Sequence, residues 1–339
     1  MSGISIPSTQ SISQTVTASG SQFIGGNLKH VLSRNLFALT LAFVVTCCLT
    51  EITIAQSVRD KDQAPTGKGT GNSNVLVDRY AKGGGGHKKP PNNGIFYHGG
   101  PLILGGTHYY YIWYGNWAGN TATQILTDFG NNEGGSPYFN INTTYYDSNN
   151  TAVTNAITLS GQTTDTEYLG NSLGDSQIFQ IVSDAITGNQ LPSDPNGVYF
   201  VLTSADVGET SGFCTSYCGW HTHGTIGSAD IKYSFVGNPD QCPSACEGQT
   251  ASSPNGNTGA DGMVNIIAHE GEEATTDPDL NAWYDASGAE NADKCAWQFG
   301  SEQTAANGSL YNQTMGNRQY LIQMNWVNAN GGSCAQKYP

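Results

Sequence analysis

His269-Glu270-Gly271-Glu272-Glu273 is the stretch on which the reading of this chain turns. In a helix, residues four apart share a face, so His269 and Glu273 would stand together with Glu270 beside the imidazole. This keeps two parts of a metal-protease helix: a histidine ligand, and a neighbouring glutamate able to take a proton from metal-bound water. The second imidazole is replaced by a carboxylate. Carboxylate oxygen ligates zinc as imidazole nitrogen does, and it moves the preference toward harder cations such as calcium.

Outward from the pentapeptide, residues 262–276 read as a helix with Asp261 as its N-cap and Pro278 forbidding continuation. On a helical wheel Val264, Ile267, Ala268, Gly271 and Ala274 fall on one side, which must pack on a core. His269, Glu272, Glu273 and Thr276 point the other way, as either solvated surface or the wall of a cleft. An acidic Glu273 near a helix C-terminus opposes the macrodipole, which favours a compensating cation.

Asp277, Asp279, Asp285, Glu290 and Asp293 follow, with only Lys294 to offset them. Such density repels itself unless solvated or metal-bound. Because the helix stops at Pro278, the chain can turn back and present a third ligand. Glu290 is the favoured choice, with Asp293 and Asp279 as alternates and Asp277 as a cap. The expected cofactor is zinc, with calcium as the alternative. Glu270 would then be the general base of a hydrolase acting on a peptide or cell-wall polymer, and His221 or His223 could steady the oxyanion.

Upstream, residues 108–113 (His-Tyr-Tyr-Tyr-Ile-Trp), 198–203 (Val-Tyr-Phe-Val-Leu-Thr) and 231–236 read as strands. Residues 121–129 and 174–186 have helical spacing. The expected fold is a single α/β (α+β) domain over 94–339: a twisted mixed sheet backed by helices, then the metal-bearing helix. That order resembles the zincin layout. The aromatics of 109–117 could bind glycan, although a Tyr-rich strand is ordinarily sheet core.

Only 12% of the 339 residues are charged, glycines number 43, and the formal net charge is −14. Without a Lys/Arg cluster in the body of the chain, neither nucleic acid nor an anionic membrane surface is an expected partner. Residues 36–49 are almost wholly apolar, preceded by Lys29, His30 and Arg34 and followed by Ile54-Ala55-Gln56. Residues 1–55 therefore read as a secretory signal with a long leading region, or alternatively as an uncleaved anchor. Residues 56–93, with Gly83 to Gly86 and few apolar anchors, read as a flexible linker or pro-segment.

Cys47 and Cys48 would leave with the signal, and the remaining six cysteines are expected in disulfides outside the cell. Spacing suggests Cys214 with Cys218, Cys242 with Cys246, and Cys295 with Cys334, among the many pairings six cysteines permit. The last would staple the C-terminal loops. A rival is a zinc knot of Cys214, Cys218, His221 and His223.

An ordered series of short motifs runs through the body of the chain. Tyr97-His98-Gly99-Gly100-Pro101, Ile112-Trp113-Tyr114-Gly115-Asn116-Trp117 and Val201-Leu202-Thr203-Ser204-Ala205-Asp206-Val207 come first. Gly212-Phe213-Cys214, Cys218-Gly219, His221, Phe235-Val236-Gly237-Asn238, Gln241-Cys242-Pro243, Cys246 and Asp261-Gly262-Met263 follow. In these the chain resembles the EXORDIUM (phosphate-induced protein) family. The resemblance implies an extracellular, cell-wall-associated protein linked to growth control, without an established reaction. After Met263 the chain looks like a microbial branch that carries the His-Glu-x-x-Glu helix, here with Thr276-Asp277-Pro278 and the sequel Gly288-Ala289-Glu290-Asn291-Ala292-Asp293-Lys294-Cys295. Two readings therefore stand: a secreted metal-dependent hydrolase, and a non-enzymatic wall-associated or signalling protein.

Overall fold

The computed structural model describes residues 64–68 and 94–339. The expected signal at 1–55 and most of the 56–93 linker lie outside the described residues. At the centre is a five-stranded mixed sheet. Its strands are β1 (Thr107–Tyr114), β2 (Ile157–Asp165), β3 (Gly197–Thr203), β4 (Gly219–Ile226) and β5 (Ala229–Val236). They lie in the order β2-β1-β3-β5-β4, with β4 antiparallel at the edge and all other pairings parallel.

Inner strands of a parallel sheet are covered on both faces, so they must be apolar along their whole length rather than alternating. β3 meets this condition with every residue buried, and β1 does so apart from His108. Tyr109, Tyr111 and Tyr114 are wholly buried, which makes the aromatic run sheet core and removes it as a glycan surface.

Helices cover both faces. α1 (Ala122–Gly130) and α3 (Thr258–Thr276) lie on the face of Tyr109 and Tyr111, while α2 (Asp175–Thr187) covers the face carrying Tyr110, Tyr199 and Tyr233. A Cβ on Gly271 of α3 would stand 1.8 Å from the Tyr109 hydroxyl, so glycine is what lets this helix approach the sheet so closely.

α3 begins a turn earlier than the sequence suggests. Asn257 is its N-cap and accepts from the Ala260 N–H at 3.0 Å. Asp261, expected as the cap, instead accepts two hydrogen bonds from Asn255 in the preceding loop. The C-terminal boundary falls as expected, with Asp277 as the cap before Pro278. The one-sided helix expected from the wheel is also corrected: from Gly259 to Thr276 only His269 escapes full burial. The C-terminal segment supplies the extra cover, for the Gln323 N–H bonds Asn265 at 2.8 Å and the Asn291 side chain lies 3.4 Å from the Glu272 carbonyl.

The disulfides pair Cys214 with Cys242, Cys218 with Cys246, and Cys295 with Cys334. The third matches expectation and the first two do not. β4 and β5 form an antiparallel hairpin, so the segment entering β4 and the segment leaving β5 lie side by side. Two cysteines on each then bond across the hairpin base, closing loops with a separation of 28 instead of four-residue rings. Longer closed loops restrict the unfolded chain more. The same pairing rules out the zinc knot, because its thiols are consumed. Among the described residues no helix is long and apolar enough to cross a membrane.

Candidate metal centre

Glu273 is the hub of the candidate site. On one oxygen, His269 Nε2 lies at 3.0 Å and the Asp293 N–H donates at 3.0 Å, with the Asp293 carboxylate 3.6 Å from the same imidazole. Toward its other oxygen, His221 Nε2 lies at 3.8 Å, and Glu290 stands 3.2 Å from His221. Two triads capable of holding a metal therefore share one carboxylate: His269, Glu273 and Asp293, and His221, Glu273 and Glu290. Within each, the candidate ligand atoms all fall within 4.8 Å of one another. Zinc bonds of about 2.0–2.1 Å at tetrahedral angles would set ligands roughly 3.3 Å apart, close to the separations seen here.

Three elements converge to build this. α3 supplies His269 and Glu273 one turn apart, as the spacing predicts. β4 supplies His221, whose imidazole lies within the cluster itself. The loop after α3 supplies Glu290 and Asp293. Asp277 starts that turn by accepting from Asn281 at 2.6 Å and Ala282 at 2.5 Å. Asp285 tightens it by accepting from Ser287, Ala289 and the Lys294 ammonium. The Cys295–Cys334 bond closes it. Asp279 falls outside both triads and joins His223 and Asp230 in a third, more exposed group able to hold a cation, with Lys232 at 3.3 Å and His223 at 3.7 Å from it.

Electrostatics suit a cation. Burial pulls the His221 imidazole down to about 4 against the opposing pull of Glu273, leaving it neutral, the form that ligates metal. Burial also acts to lower His269, but Glu273 and Asp293 outweigh it and hold the imidazole well above the usual histidine range. Burial and neighbouring acids push Glu290 well above the usual carboxylate range. A positive charge at Glu273 would relieve this crowding of acids. On the far side of the His269 ring, Nδ1 contacts the Gln323 side chain, which holds the ring in place. Glu270 stands against the start of β4, where a Cβ on Gly219 would meet its Oε1 at 3.3 Å. Its Oε2 is buried and makes no hydrogen bond among the described residues.

Sequence reasoning missed a second polar chamber beside α3. Glu133 and Glu272, both wholly buried, lie there among Tyr109, Tyr111, Tyr138 and Asn142. Glu272 was expected beside His269, and only the neighbours of Glu133 in space reveal this grouping.

Residues 95–336 match the phosphate-induced protein 1 conserved region. The chain belongs to this family. A relative in Arabidopsis thaliana, Protein EXORDIUM-like 3, is 31% identical over 254 residues, covering 63% of this chain and 75% of its own. EXORDIUM-like 5 of the same plant is 30% identical over 267 residues, covering 66% and 72%. Protein PHOSPHATE-INDUCED 1 of Nicotiana tabacum is 33% identical over a shorter 135 residues, 34% of this chain and 40% of its own. No solved structure matches. The names of these family members carry no reaction, and they suit the non-enzymatic reading better than the hydrolase.

Proposed function

We propose that this phosphate-induced protein 1 family member is a secreted metal-dependent hydrolase, of peptidase type, using the cluster around Glu273. One observation carries this: two imidazoles and two carboxylates meet at the buried Glu273 carboxylate, beside Glu270, one of whose oxygens has no hydrogen-bond partner among the described residues. His269, Glu273 and Asp293, with His221 and Glu290 behind them, would hold the cation, zinc before calcium. The donor set fits, being mixed nitrogen and oxygen with no thiolate. Bound there, zinc would supply a water of lowered pKa and polarise a substrate carbonyl.

The chain's own residues do the rest. Glu270 would accept the proton, its carboxyl raised well above the usual range by burial, with His269 partly offsetting. Gln323 orients His269, and the stapled loop of residues 285–295 keeps water from Glu290. The mixed sheet with its antiparallel edge strand beside the helix supports the zincin likeness, and three disulfides support an extracellular location.

The family names favour the second reading, an extracellular wall-associated or signalling protein in which the same cluster binds a cation for structure alone. Elemental analysis of protein purified without chelator, together with hydrolysis of quenched fluorescent peptides, separates the two. The hydrolase reading expects zinc and a chelator-sensitive turnover that falls by about 100-fold or more in Glu270→Gln. Bound metal without turnover that depends on Glu270 leaves the structural reading.

A further inference from the structure

Residues 64–68, Ala-Pro-Thr-Gly-Lys, belong to the stretch expected to be a bare linker, yet they are seated on the domain. Pro65 and Gly67 are buried. The Gly67 carbonyl accepts from the His221 N–H at 3.0 Å. That N–H belongs to β4, the edge strand, whose outer side has no other strand of the sheet to pair with. The approach is close enough to demand glycine: φ at Gly67 is +69°, and a Cβ there would stand 1.9 Å from the His221 carbonyl oxygen. Leu280, from the turn after α3, lies against the other side, its Cδ1 3.5 Å from the same Cβ position.

Lys68 then enters a built pocket. Its ammonium donates to Asp175 Oδ2 at 2.6 Å and Ser211 Oγ at 2.7 Å, and lies 5.3 Å and 5.2 Å from the ring centroids of Tyr217 and Trp220. The pocket is braced without the lysine. Ser211 Oγ donates to Asp175 Oδ1 at 2.6 Å, both Glu209 oxygens accept from the Ser211 N–H, and the Tyr217 hydroxyl bonds Glu209. Burial alone would raise the Asp175 carboxyl, but Lys68 and Ser211 outweigh it and leave it lowered. Trp220 and His221 are successive residues of one strand, so they face opposite sides of the sheet. One bound peptide thus reads a cation pocket with one residue and touches the backbone of a candidate metal ligand with the residue before it.

We infer that the edge of β4 is a recognition groove for a polypeptide segment carrying a Gly-Lys pair, with Asp175, Ser211, Tyr217 and Trp220 as the lysine subsite, and that residues 64–68 occupy it in cis. The groove binds through one backbone bond to the unpaired strand edge, which gives register, and through the lysine, which gives selectivity. A chain of net charge −14 suits a basic ligand. That the ligand is also a substrate rests on the hydrolase reading, whereas the binding does not.

Fluorescence anisotropy with a labelled Ala-Pro-Thr-Gly-Lys peptide and the full chain tests this without reading turnover. The unmodified chain should bind weakly, because its own segment competes. Gly67→Val, whose side chain collides with His221, should bind at least about ten-fold tighter. In that background Asp175→Asn, or norleucine in place of the peptide's lysine, should cost about ten-fold or more. Lys68→Met gives the same release should Gly67→Val fold poorly. Hydrogen exchange at the His221 amide should quicken in the released variant and slow again with peptide. Release that brings no tighter binding, binding indifferent to lysine and Asp175, or unchanged His221 exchange would overturn the inference. Peptide bound as expected but never cleaved upholds it and counts against the hydrolase alone.

Discussion

Glu272 and Glu273 are neighbours in sequence, both at most 1% exposed, and they face different surroundings. Glu273 looks onto two imidazoles and accepts a backbone N–H. Glu272 looks into a chamber holding another buried acid, Glu133, with tyrosine hydroxyls and Asn142 and no base. Burial raises both and His269 restrains both, but Glu273 also accepts a hydrogen bond from His269, while Glu133 drives Glu272 further up. Burying a charge is costly unless it is paired, so an acid among hydroxyls keeps its proton and an acid among imidazoles can share a positive charge. One helix thus separates a face suited to a cation from a face suited to neutral carboxylic acids.

The sharpest way to break that contrast is isosteric replacement on each side. Glu273→Gln should weaken zinc affinity by about 100-fold or more, since it removes the carboxylate common to both triads, whereas Glu272→Gln should change it by no more than about three-fold. Competition titration with a chromophoric chelator reads both. Equal losses would mean that the two faces are not distinct.

α3 was legible because its signals are local: a Pro stop, an apolar stripe and an i, i+4 pair. Even so, Asn257 outcompeted Asp261 for the cap, because either side chain can serve and only the loop geometry chooses. His221 had no local signature. Its role exists only because β4 lies beside α3, a contact between residues some fifty positions apart. The crossed disulfides likewise required knowing that β4 and β5 are a hairpin. Glu272 was misassigned because a wheel sorts residues by angle, and Glu272 lies close in angle to the metal face while packing against a different neighbour. Residues 64–68 offered only Pro and Gly in a polar stretch, the usual mark of a linker. Their docking depends on an edge N–H and an acidic pocket that the segment's own sequence does not contain.

A smaller effect probes what keeps the faces apart. Gly271 lies between Glu270 and Glu272 and lets α3 rest on Tyr109. Gly271→Ala should cost about 1–3 kcal/mol of unfolding free energy, despite alanine's better helix propensity, because the buried tyrosine has to shift. Denaturant unfolding measures it, and a gain in stability would show that the contact is slack. On the chamber side, Glu272→Gln bears on the pH dependence. The folded-state pKa of Glu272 is raised, so its contribution is fully present below the unfolded value and is lost as pH rises. Unfolding free energy in the unmodified chain should fall between pH 5 and pH 8, and the variant should fall less.

Glu247 supplies the control for that slope, because it is buried away from both faces, near the start of α3. Burial pushes its carboxyl up from 4.5 to about 7, partly offset by a hydrogen bond with Thr258. Its stabilising contribution is therefore complete below about pH 4.5 and is lost as pH climbs through about 7. Partial solvent screening limits the loss, so Glu247→Gln should raise stability at pH 8 by only about 1 kcal/mol and leave it nearly unchanged at pH 4. Chemical denaturation at the two pH values gives the comparison. If Glu272→Gln flattens the pH profile no more than Glu247→Gln does, the tyrosine-lined chamber holds its acids no more tightly than an ordinary buried site. The two faces of α3 would then differ only in the imidazoles of one.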